Sequence, residues 1–380
     1  MTEDKNSRKK NNGSKKKVIL MFPGQGSQFI GMGSEFLNAK KDYAKYFDIA
    51  GDAFGDNLLN VINNKDGRGE LLDKTQYSQI AIYSLSCALN DYLFNQIGFE
   101  KSSVKAVVGH SLGDYSALYS SGAFDFRQGA ELVAYRGKLM ADFAKSTLPS
   151  GQTDTENPNN ITSVNDNISG IILPTDTEIN SAPPENTGGP PNKMMMAAVI
   201  GSDFETIESV LKDFNRKVFI ANYNDYSQIV ISGMAEEVLK AGEEIKSKGA
   251  KRFILLKVSI ASHCPLMKEV SLNLGKYISG KFKEFPDLNF KFFSSTELSF
   301  IDKNRIKEAL IGQLINPVRW VNAIEEILTD DVAALIEVGP GKVLSGLVKR
   351  IAAKLGREDI MIFNMDSLNE ISNLKTYLEA

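Results

Sequence analysis

Histidine and cysteine are scarce in this chain of 380 residues, which contains two of each. A zinc site of the usual kind needs roughly three to four such ligands in one place, so this scarcity argues against one. The two cysteines, Cys87 and Cys264, do not make a disulfide scaffold and favour a reducing compartment. No apolar run reaches the roughly 18 residues that a membrane-spanning helix needs. We therefore expect neither a metal site nor a membrane span.

Positive charge is concentrated at the start of the chain, although the whole chain has a net charge of −3. Residues 1–17 contain seven lysine or arginine residues against two acids, and they lack the apolar residues that would fold them. We predict a disordered basic tail over 1–17. A nucleic-acid-binding arm and the trailing part of an organelle transit peptide are the alternatives. Because nothing else in the chain is basic in bulk, no nucleic-acid partner is expected. The tail favours a plastid stroma of the apicoplast type, with the cytoplasm as the alternative.

A second stretch, at about 146–193, is rich in Ser, Thr, Asn, Asp and Pro and holds few large apolar residues. It shows no sustained helical or strand period. Such a composition cannot bury enough apolar surface to fold. We predict a flexible low-complexity insertion here, with a regulatory docking loop as the alternative.

A serine lies at the tip of a predicted tight turn, in the sequence Gly-His-Ser-Leu-Gly at 109–113. An apolar, strand-like run at 104–108 precedes it, and a helix-like run at 112–123 follows. A strand, a glycine-flanked turn and a helix are the context in which G-x-S-x-G forms a nucleophile elbow. Glycines are needed on both sides because the serine backbone is strained and neighbouring Cβ atoms would clash. Ser111 is therefore the predicted nucleophile.

The predicted general base is His263, in the stretch 260–265. A serine nucleophile needs a base near neutral pH, and imidazole has a suitable pKa. The other histidine, His110, is adjacent to Ser111 on a sharp turn, so the two side chains point apart. A hydrogen-bonded structural histidine and a nucleophilic Cys264 are the competing interpretations of this stretch. The Cys264 interpretation is disfavoured by the same geometry of chain neighbours.

Strand-like and helix-like segments alternate between residues 194 and 258. Strands are predicted at 195–200, 218–222, 228–232 and 252–258, and helices at 203–214 and 235–247. This βαββαβ order is the ferredoxin-like signature. His263 follows directly, so the active site is expected in a cleft between two domains.

Six motifs occur in one order: FPGQGSQ at 22–28, GHSLGDYSAL at 109–118, YRG at 135–137, SHCPLM at 262–267, QLINPVRW at 313–320 and EVGPGKVL at 337–344. In this the chain resembles the malonyl-CoA:acyl-carrier-protein transacylases of dissociated fatty-acid synthesis, over roughly 18–370 apart from the stretch near 146–193. The resemblance implies an α/β fold. An α/β-hydrolase-like catalytic domain (18–137 and 257–380) would carry an inserted ferredoxin-like subdomain (138–256).

The resemblance also implies an oxyanion hole formed by the backbone N–H groups of Gln25 and Leu112. A donor from Leu112 fits the general rule for elbows, in which the residue after the serine supplies one N–H. A phosphate-binding loop is the alternative for residues 22–28. It is disfavoured because G-x-x-x-x-G-K-[ST] is missing.

Further site residues follow from the resemblance. Arg136 would hold the carboxylate of the malonyl group, because a guanidinium pairs with a carboxylate in a bidentate way. Met140, one helical turn on, would line the same pocket, and Asn222 and Asn224 are weaker candidates for contacts there. A backbone carbonyl near Gln313 would orient His263, so that no third catalytic acid is required. An acid between 111 and 263 that completes a conventional triad remains the alternative.

The implied reaction moves a malonyl group from malonyl-CoA to acyl carrier protein through a malonyl-serine ester, with no cofactor and no metal. A monomer with acyl carrier protein as its partner is expected. Carrier proteins of this kind are acidic, so basic surface residues would bind them. The candidates are Lys342, Lys349, Arg350 and Lys354. A solvated helix face is the alternative interpretation of these four residues. A serine hydrolase or thioesterase and a non-catalytic scaffold are the alternative functions.

Overall fold

A computed structural model of the chain describes residues 17–146, 193–258 and 260–379. The predicted tail at 1–17, apart from Lys17, lies outside the described residues. So does the predicted insertion, apart from its two end residues. Among the described residues, no helix is both long enough and apolar enough to cross a membrane.

The described residues form ten strands. They are β1 (Lys17–Phe22), β2 (Val104–Gly109), β3 (Met194–Ile200), β4 (Val218–Asp225), β5 (Gln228–Met234), β6 (Arg252–Leu255), β7 (Phe292–Ser294), β8 (Ser299–Ile301), β9 (Val332–Glu337) and β10 (Met361–Asn364).

The described residues also form thirteen α-helices and six short 3₁₀ helices. The α-helices are α1 (Ser34–Ala39), α2 (Lys45–Phe54), α3 (Leu58–Ile62), α4 (Thr75–Asn95), α5 (Gly113–Ser120), α6 (Phe126–Ser146), α7 (Phe204–Leu211), α8 (Ala235–Ser247), α9 (Lys268–Lys281), α10 (Ile306–Gly312), α11 (Trp320–Ile327), α12 (Val343–Lys354) and α13 (Leu368–Glu379). The 3₁₀ helices span Lys41–Ala44, Lys65–Asp73, Lys101–Ser103, Lys212–Phe214, Pro265–Met267 and Lys303–Arg305.

The larger sheet has the strand order β10-β9-β1-β2-β7-β8. Its neighbouring strands are parallel except for β7 and β8, which pair antiparallel. Strand β1 reads KVILMF and is buried from Val18 to Phe22, as expected for a parallel strand covered on both faces. The carboxyl ends of β1, β2 and β9 therefore lie side by side at one edge, where ligands bind in open α/β sheets.

The smaller sheet is antiparallel and has the order β4-β5-β3-β6. With α7 between β3 and β4, and α8 between β5 and β6, it has the predicted ferredoxin-like topology. The prediction of an α/β fold with a ferredoxin-like unit is thus confirmed. Several predicted element ends were wrong. The strands expected over 218–222 and 228–232 run on to Asp225 and Met234, and the helix expected over 112–123 covers only Gly113–Ser120. The helix expected over 203–214 ends at Leu211 and tightens into a 3₁₀ turn, and the strand expected over 252–258 ends at Leu255.

The predicted domain limits stay predictions. The proposed division after residue 137 falls inside the continuous helix α6. Strand β1 begins at Lys17, which is the last residue of the predicted tail.

Backbone and side-chain contacts join the two sheets. The Tyr223 N–H donates to the Val318 carbonyl, and the Val318 N–H donates to the Ala221 carbonyl, each over 2.8 Å. Near the β4–β5 turn, Arg350 Nε on α12 lies 2.6 Å from the carboxylate of the buried Asp225. The two hydrogen bonds hold β4 against the segment between α10 and α11. Together with the ion pair they form one wall of the cleft.

Candidate active site

A sharp turn connects β2 to α5 and presents Ser111. Ser111 has φ of 52°, in the left-handed region that a residue with a Cβ rarely adopts. A Cβ added to Gly113 would lie 1.9 Å from the Phe22 carbonyl oxygen, and one added to Gly109 would lie 2.1 Å from the Asp114 nitrogen. Only glycine fits at either position. The strained serine between two crowded glycines is the geometry of a nucleophile elbow.

The structure brings Ser111 and His263 together. Ser111 Oγ lies 2.8 Å from His263 Nε2, and His263 Nδ1 lies 2.7 Å from the Gln313 carbonyl oxygen. A carbonyl can only accept, so Nδ1 carries the proton and Nε2 is left free to accept the proton of Ser111. The acceptor behind the histidine is thus a main-chain carbonyl, as the resemblance implied.

His263 is kept neutral by its surroundings. Its pKa is lowered to about 3, mainly by burial and also by the charges of Arg136 and His110, against the opposing effect of the Gln313 carbonyl. The neutral imidazole is the form that can take a proton from serine. The imidazolium that results is costly in this dry site. It therefore needs negative charge beside it, such as a developing oxyanion or a bound carboxylate.

The two predicted oxyanion donors lie where the loop after β1 meets the elbow. Leu112 is fully buried and caps the amino end of α5. The 22–28 loop packs directly on the elbow, since a Cβ on Gly24 would lie 2.2 Å from the His110 carbonyl oxygen. Among the described residues, none accepts a hydrogen bond from the backbone N–H of Gln25 or Leu112. Both donors are free to bind an oxyanion, and the Gln25 side chain is held aside by Thr75 Oγ1 at 2.9 Å.

Arg136 is buried in the cleft with 2% of its surface exposed. Its Nη1 donates to Gln79 Oε1 over 2.6 Å, and its Nη2 donates to Gln313 Oε1 over 3.3 Å. The guanidinium also lies over the Tyr115 ring, 5.5 Å from the centroid. No described residue accepts a hydrogen bond from its Nε. Burial lowers the pKa of Arg136, and a buried cation held by neutral amides is a strong binding site for a carboxylate.

The other predicted pocket residues lie nearby with different contacts. Met140, one turn after Arg136 on α6, is buried, and its Sδ accepts from Gln79 Nε2 at 3.4 Å. Asn224 is engaged by the elbow histidine, because its Oδ1 lies 2.9 Å from His110 Nε2. Asn222 is buried, and its backbone forms a bridge with Val318. Asn222 and Asn224 thus lie on the wall that the smaller sheet contributes.

Sequence reasoning missed three groups that complete the site: the Gln79 side chain, the Gln313 side chain and Asp114. Gln313 Nε2 donates to the Ser111 carbonyl over 2.8 Å and also to Asp114 Oδ2. Burial raises the pKa of Asp114 to about 8. A polar residue inside an apolar helix, as Gln79 is in α4, is the one signal in the sequence that points to these groups.

No group of three or more His, Cys, Asp or Glu side chains that could hold a metal ion occurs in the part of the chain that the structure describes. The groups that the described site does bring together are a serine, an imidazole and a guanidinium.

Comparison with known proteins agrees with this geometry. The family model described as an acyl transferase domain matches residues 19–187. A malonyl CoA-acyl carrier protein transacylase of Haemophilus influenzae is 33% identical, over 94% of this chain and 98% of the relative. One of Bacillus subtilis is also 33% identical, over 89% of this chain and 92% of the relative.

Two solved structures extend the comparison to the fold. The malonyl CoA-acyl carrier protein transacylase of Coxiella burnetii gives a TM-score of 0.77 at 27% identity, covering 96% of this chain and 98% of that one. A malonyl-transacylase solved in complex with its type II PKS acyl-carrier protein gives a TM-score of 0.76 at 30% identity. The match covers 95% of this chain and 99% of that one.

Proposed function

The chain belongs to the family of malonyl CoA-acyl carrier protein transacylases, and from its site we propose that it moves a malonyl group from malonyl-CoA to the thiol of an acyl carrier protein. Such an acyltransferase supplies the extender units of fatty-acid synthesis. The observation that carries the proposal is the position of Gln313. Its backbone orients His263, which contacts Ser111, while its side chain holds Arg136. A nucleophile and a carboxylate-binding group are thereby joined in one site.

The first half-reaction acylates the serine. The malonyl carboxylate binds Arg136, and His263 Nε2 takes the Ser111 proton as Oγ attacks the thioester carbon. The tetrahedral oxyanion accepts hydrogen bonds from the N–H groups of Gln25 and Leu112. The carbon–sulfur bond then breaks, His263 returns the proton to the departing sulfur, and coenzyme A leaves a malonyl ester on Ser111.

The second half-reaction reverses these steps with a different thiol. The phosphopantetheine thiol of the carrier protein gives its proton to His263, and its sulfur attacks the ester carbon. Collapse of the second tetrahedral species breaks the bond to Ser111 Oγ, which takes the proton back from His263. The malonyl group leaves on the carrier, and the enzyme is regenerated.

The acidic carrier protein is proposed to dock on basic residues near the end of the chain. Lys349 and Lys354 on α12 are exposed and support this proposal. The other two candidates are already paired: Lys342 Nζ with Glu370 at 2.9 Å, and Arg350 with Asp225. Charge-reversal of Lys349 and Lys354 together is expected to raise KM for the carrier protein and leave KM for malonyl-CoA unchanged.

Two finer predictions from the sequence belong to the same proposal: the enzyme is a monomer, and it works in a plastid of the apicoplast type. The basic character of residues 1–17 supports the compartment. Light scattering that gives a mass well above 41.8 kDa would contradict the monomer. A fluorescent fusion of the whole chain found outside any plastid would contradict the compartment.

The first experiment is intact mass after brief mixing with malonyl-CoA and then with holo acyl carrier protein. Wild type is expected to gain one malonyl increment and to lose it to the carrier, and Ser111→Ala is expected to gain none. An increment that passes to water in the presence of carrier would indicate a thioesterase. The absence of any increment on the wild type would contradict the Ser111 mechanism.

A further inference from the structure

The side-chain amide of Gln313 touches three parts of the site at once. Its Nε2 donates to the Ser111 carbonyl over 2.8 Å and to Asp114 Oδ2, and its Oε1 accepts from Arg136 Nη2 over 3.3 Å. Gln313 itself is fully buried. The amide therefore links the elbow to the guanidinium, independently of the backbone carbonyl that orients His263.

Only one orientation of this amide satisfies its neighbours. With the amide turned over, Oε1 would face the two acceptor oxygens of Ser111 and Asp114, and the NH₂ group would face the guanidinium, which only donates. Asp114 is 2% exposed and lies in the first turn of α5, where the elbow fixes its backbone. Its carboxyl is thus a fixed acceptor that keeps Oε1 turned toward Arg136.

Among the buried side-chain atoms of the described residues that lack a hydrogen-bond partner, the second oxygen of Asp114 is the one carboxyl oxygen. No described residue bonds to Asp114 Oδ1, and none accepts from Arg136 Nε, although both atoms are buried. A structural acid in a core has its oxygens satisfied. Burial also raises the Asp114 pKa to about 8, so the carboxyl is mainly neutral at pH 7 and does not cancel the charge of Arg136.

We propose that Asp114 is a positioning residue for acyl-group selection: it fixes the Gln313 amide, and the amide holds Arg136 ready for the carboxylate of the substrate. This inference rests on the proposed malonyl transfer. The inference predicts that malonyl and acetyl groups are affected differently, because a neutral acyl group such as acetyl does not bind Arg136. Loss of the Asp114 contact lowers transfer of malonyl groups and leaves transfer of acetyl groups nearly unchanged.

The test compares rates of acyl-serine formation from malonyl-CoA and acetyl-CoA by quenched-flow mass spectrometry. Asp114→Leu removes the acceptor and is expected to lower kcat/KM for malonyl-CoA by about 10- to 100-fold, mainly through KM. The value for acetyl-CoA is expected to stay within about threefold of wild type, because no contact to a charged group is lost. Asp114→Asn keeps an acceptor oxygen and stays neutral, and it is expected to restore the malonyl preference.

A second variant separates the side chain of Gln313 from its backbone. Gln313→Met keeps the carbonyl that orients His263 and removes the amide, so it is expected to show the same selective loss as Asp114→Leu. If Asp114→Leu does not fold, Gln313→Met decides the question. Glu337→Leu is the matched control: it removes another fully buried carboxyl, one that contacts neither Gln313 nor Arg136, and is expected to keep the malonyl-to-acetyl ratio.

The outcomes separate this inference from the proposed function. Equal losses for malonyl and acetyl in Asp114→Leu and Gln313→Met would show a merely structural role and overturn the inference. An unchanged malonyl-to-acetyl ratio in Gln313→Met would overturn it as well. A wild type that forms no malonyl ester at all would instead overturn the proposed function.

Discussion

Two strand-to-helix loops lie on either side of β1 at the same edge of the large sheet: the elbow between β2 and α5, and the loop between β9 and α12. A buried acid lies at one end of each loop. At the second loop, Glu337, the last residue of β9, accepts hydrogen bonds from the N–H groups of Leu344 and Ser345 over 3.0 and 2.7 Å, one on each oxygen. In the elbow, Asp114 has a partner on one oxygen only.

The backbones of the two loops differ in the same way. Positive φ in the second loop falls on Gly339 and Gly341, which adopt it without strain. In the elbow it falls on Ser111, which has a Cβ. Of these two loops, the elbow is therefore the one with a strained residue and a half-satisfied acid, and the neighbouring loop of similar design holds the sheet and helix together.

The largest difference between the loops is expected from adding one methyl group to each. In Gly113→Ala, the new Cβ meets the Phe22 carbonyl oxygen at 1.9 Å, a backbone atom that cannot rotate away. We expect malonyl transfer to fall by about 100-fold because the elbow shifts by a fraction of an ångström. The free energy of unfolding should drop by about 1–3 kcal/mol.

The matched change is Gly341→Ala, where the nearest atom, the Ser27 carbonyl oxygen, lies 3.3 Å from the new Cβ, a tight contact but no overlap, and the φ of 75° is unfavourable. It should cost about 1–2 kcal/mol of stability and keep most of the activity. Urea unfolding and the transfer assay on both variants check this. Equal activity losses would show that the elbow is no more demanding than its neighbour.

The next largest effect is expected from removing the positive charge of Arg136. Arg136→Ala is expected to lower kcat/KM for malonyl-CoA by about 10- to 100-fold, the usual value of a charge-assisted hydrogen bond. Acetyl-CoA should not lose rate. Arg350→Ala, which breaks the ion pair with Asp225, is the control and should keep the malonyl preference. Parallel losses for both acyl groups in Arg136→Ala would contradict carboxylate recognition.

The third prediction concerns the protonation state of His263, which depends on its burial. With its pKa lowered to about 3 by burial, His263 stays neutral, and therefore competent as a base, far below pH 6.5. We expect kcat/KM at pH 5 to remain within about threefold of its value at pH 7, whereas a histidine of ordinary pKa would be only about 3% neutral there. A fall of about 30-fold between those pH values, in protein that circular dichroism shows to be folded, would contradict this.

The last effect is on how stability depends on pH. Burial raises the pKa of Glu337 to about 7 and that of Asp114 to about 8. The folded state therefore holds protons that the unfolded state releases, and this stabilisation is complete at low pH and is lost as pH rises through those values. From pH 6.5 to 8.5 the free energy of unfolding should fall, by at most about 1.4 kcal/mol per pH unit for each group.

Glu337→Gln should make that fall shallower, because it removes one of the two titrating groups. The two histidines oppose the fall near pH 6.5, because the unfolded chain takes up protons there that the buried, neutral histidines do not. This contribution is common to wild type and variant, so the difference between their slopes reports Glu337. Urea titrations of wild type and variant at several pH values measure the slope. Identical slopes would mean that Glu337 is ionised in the folded protein throughout.

The parts of the site that the sequence predicts are those with a local signature. The role of Ser111 can be predicted from the neighbouring glycines and from the strand and helix on either side. The role of His263 can be predicted because it is the only histidine in the sequence that is distant from Ser111. The Gln313 carbonyl and Arg136 came from the resemblance. Gln79 and Asp114 were missed because sequence alone does not show which face of an apolar helix meets a distant loop.

Contacts across long stretches of chain set the rest. Asn224 meets His110 across 114 positions, and Gln313 meets Asp114 across 199. The packing of the two sheets brings Asn224 to His110, and the packing of helices around the larger sheet brings Gln313 to Asp114. A local feature was missed as well: the 3₁₀ turn that follows α7 ends where Asn215 and Arg216 adopt positive φ, and their sequence gives no clear signal of that conformation.

The main-chain carbonyl of Gln313 has a consequence for drug resistance. Wherever an acid orients a catalytic histidine, one codon change can remove it; here the acceptor is part of the peptide backbone, and every amino acid at position 313 supplies it. An inhibitor that binds Ser111 and His263 and takes the rest of its affinity from backbone atoms would leave the target few escape mutations. One that relies on the side chains of Met140 or Gln79 would leave several.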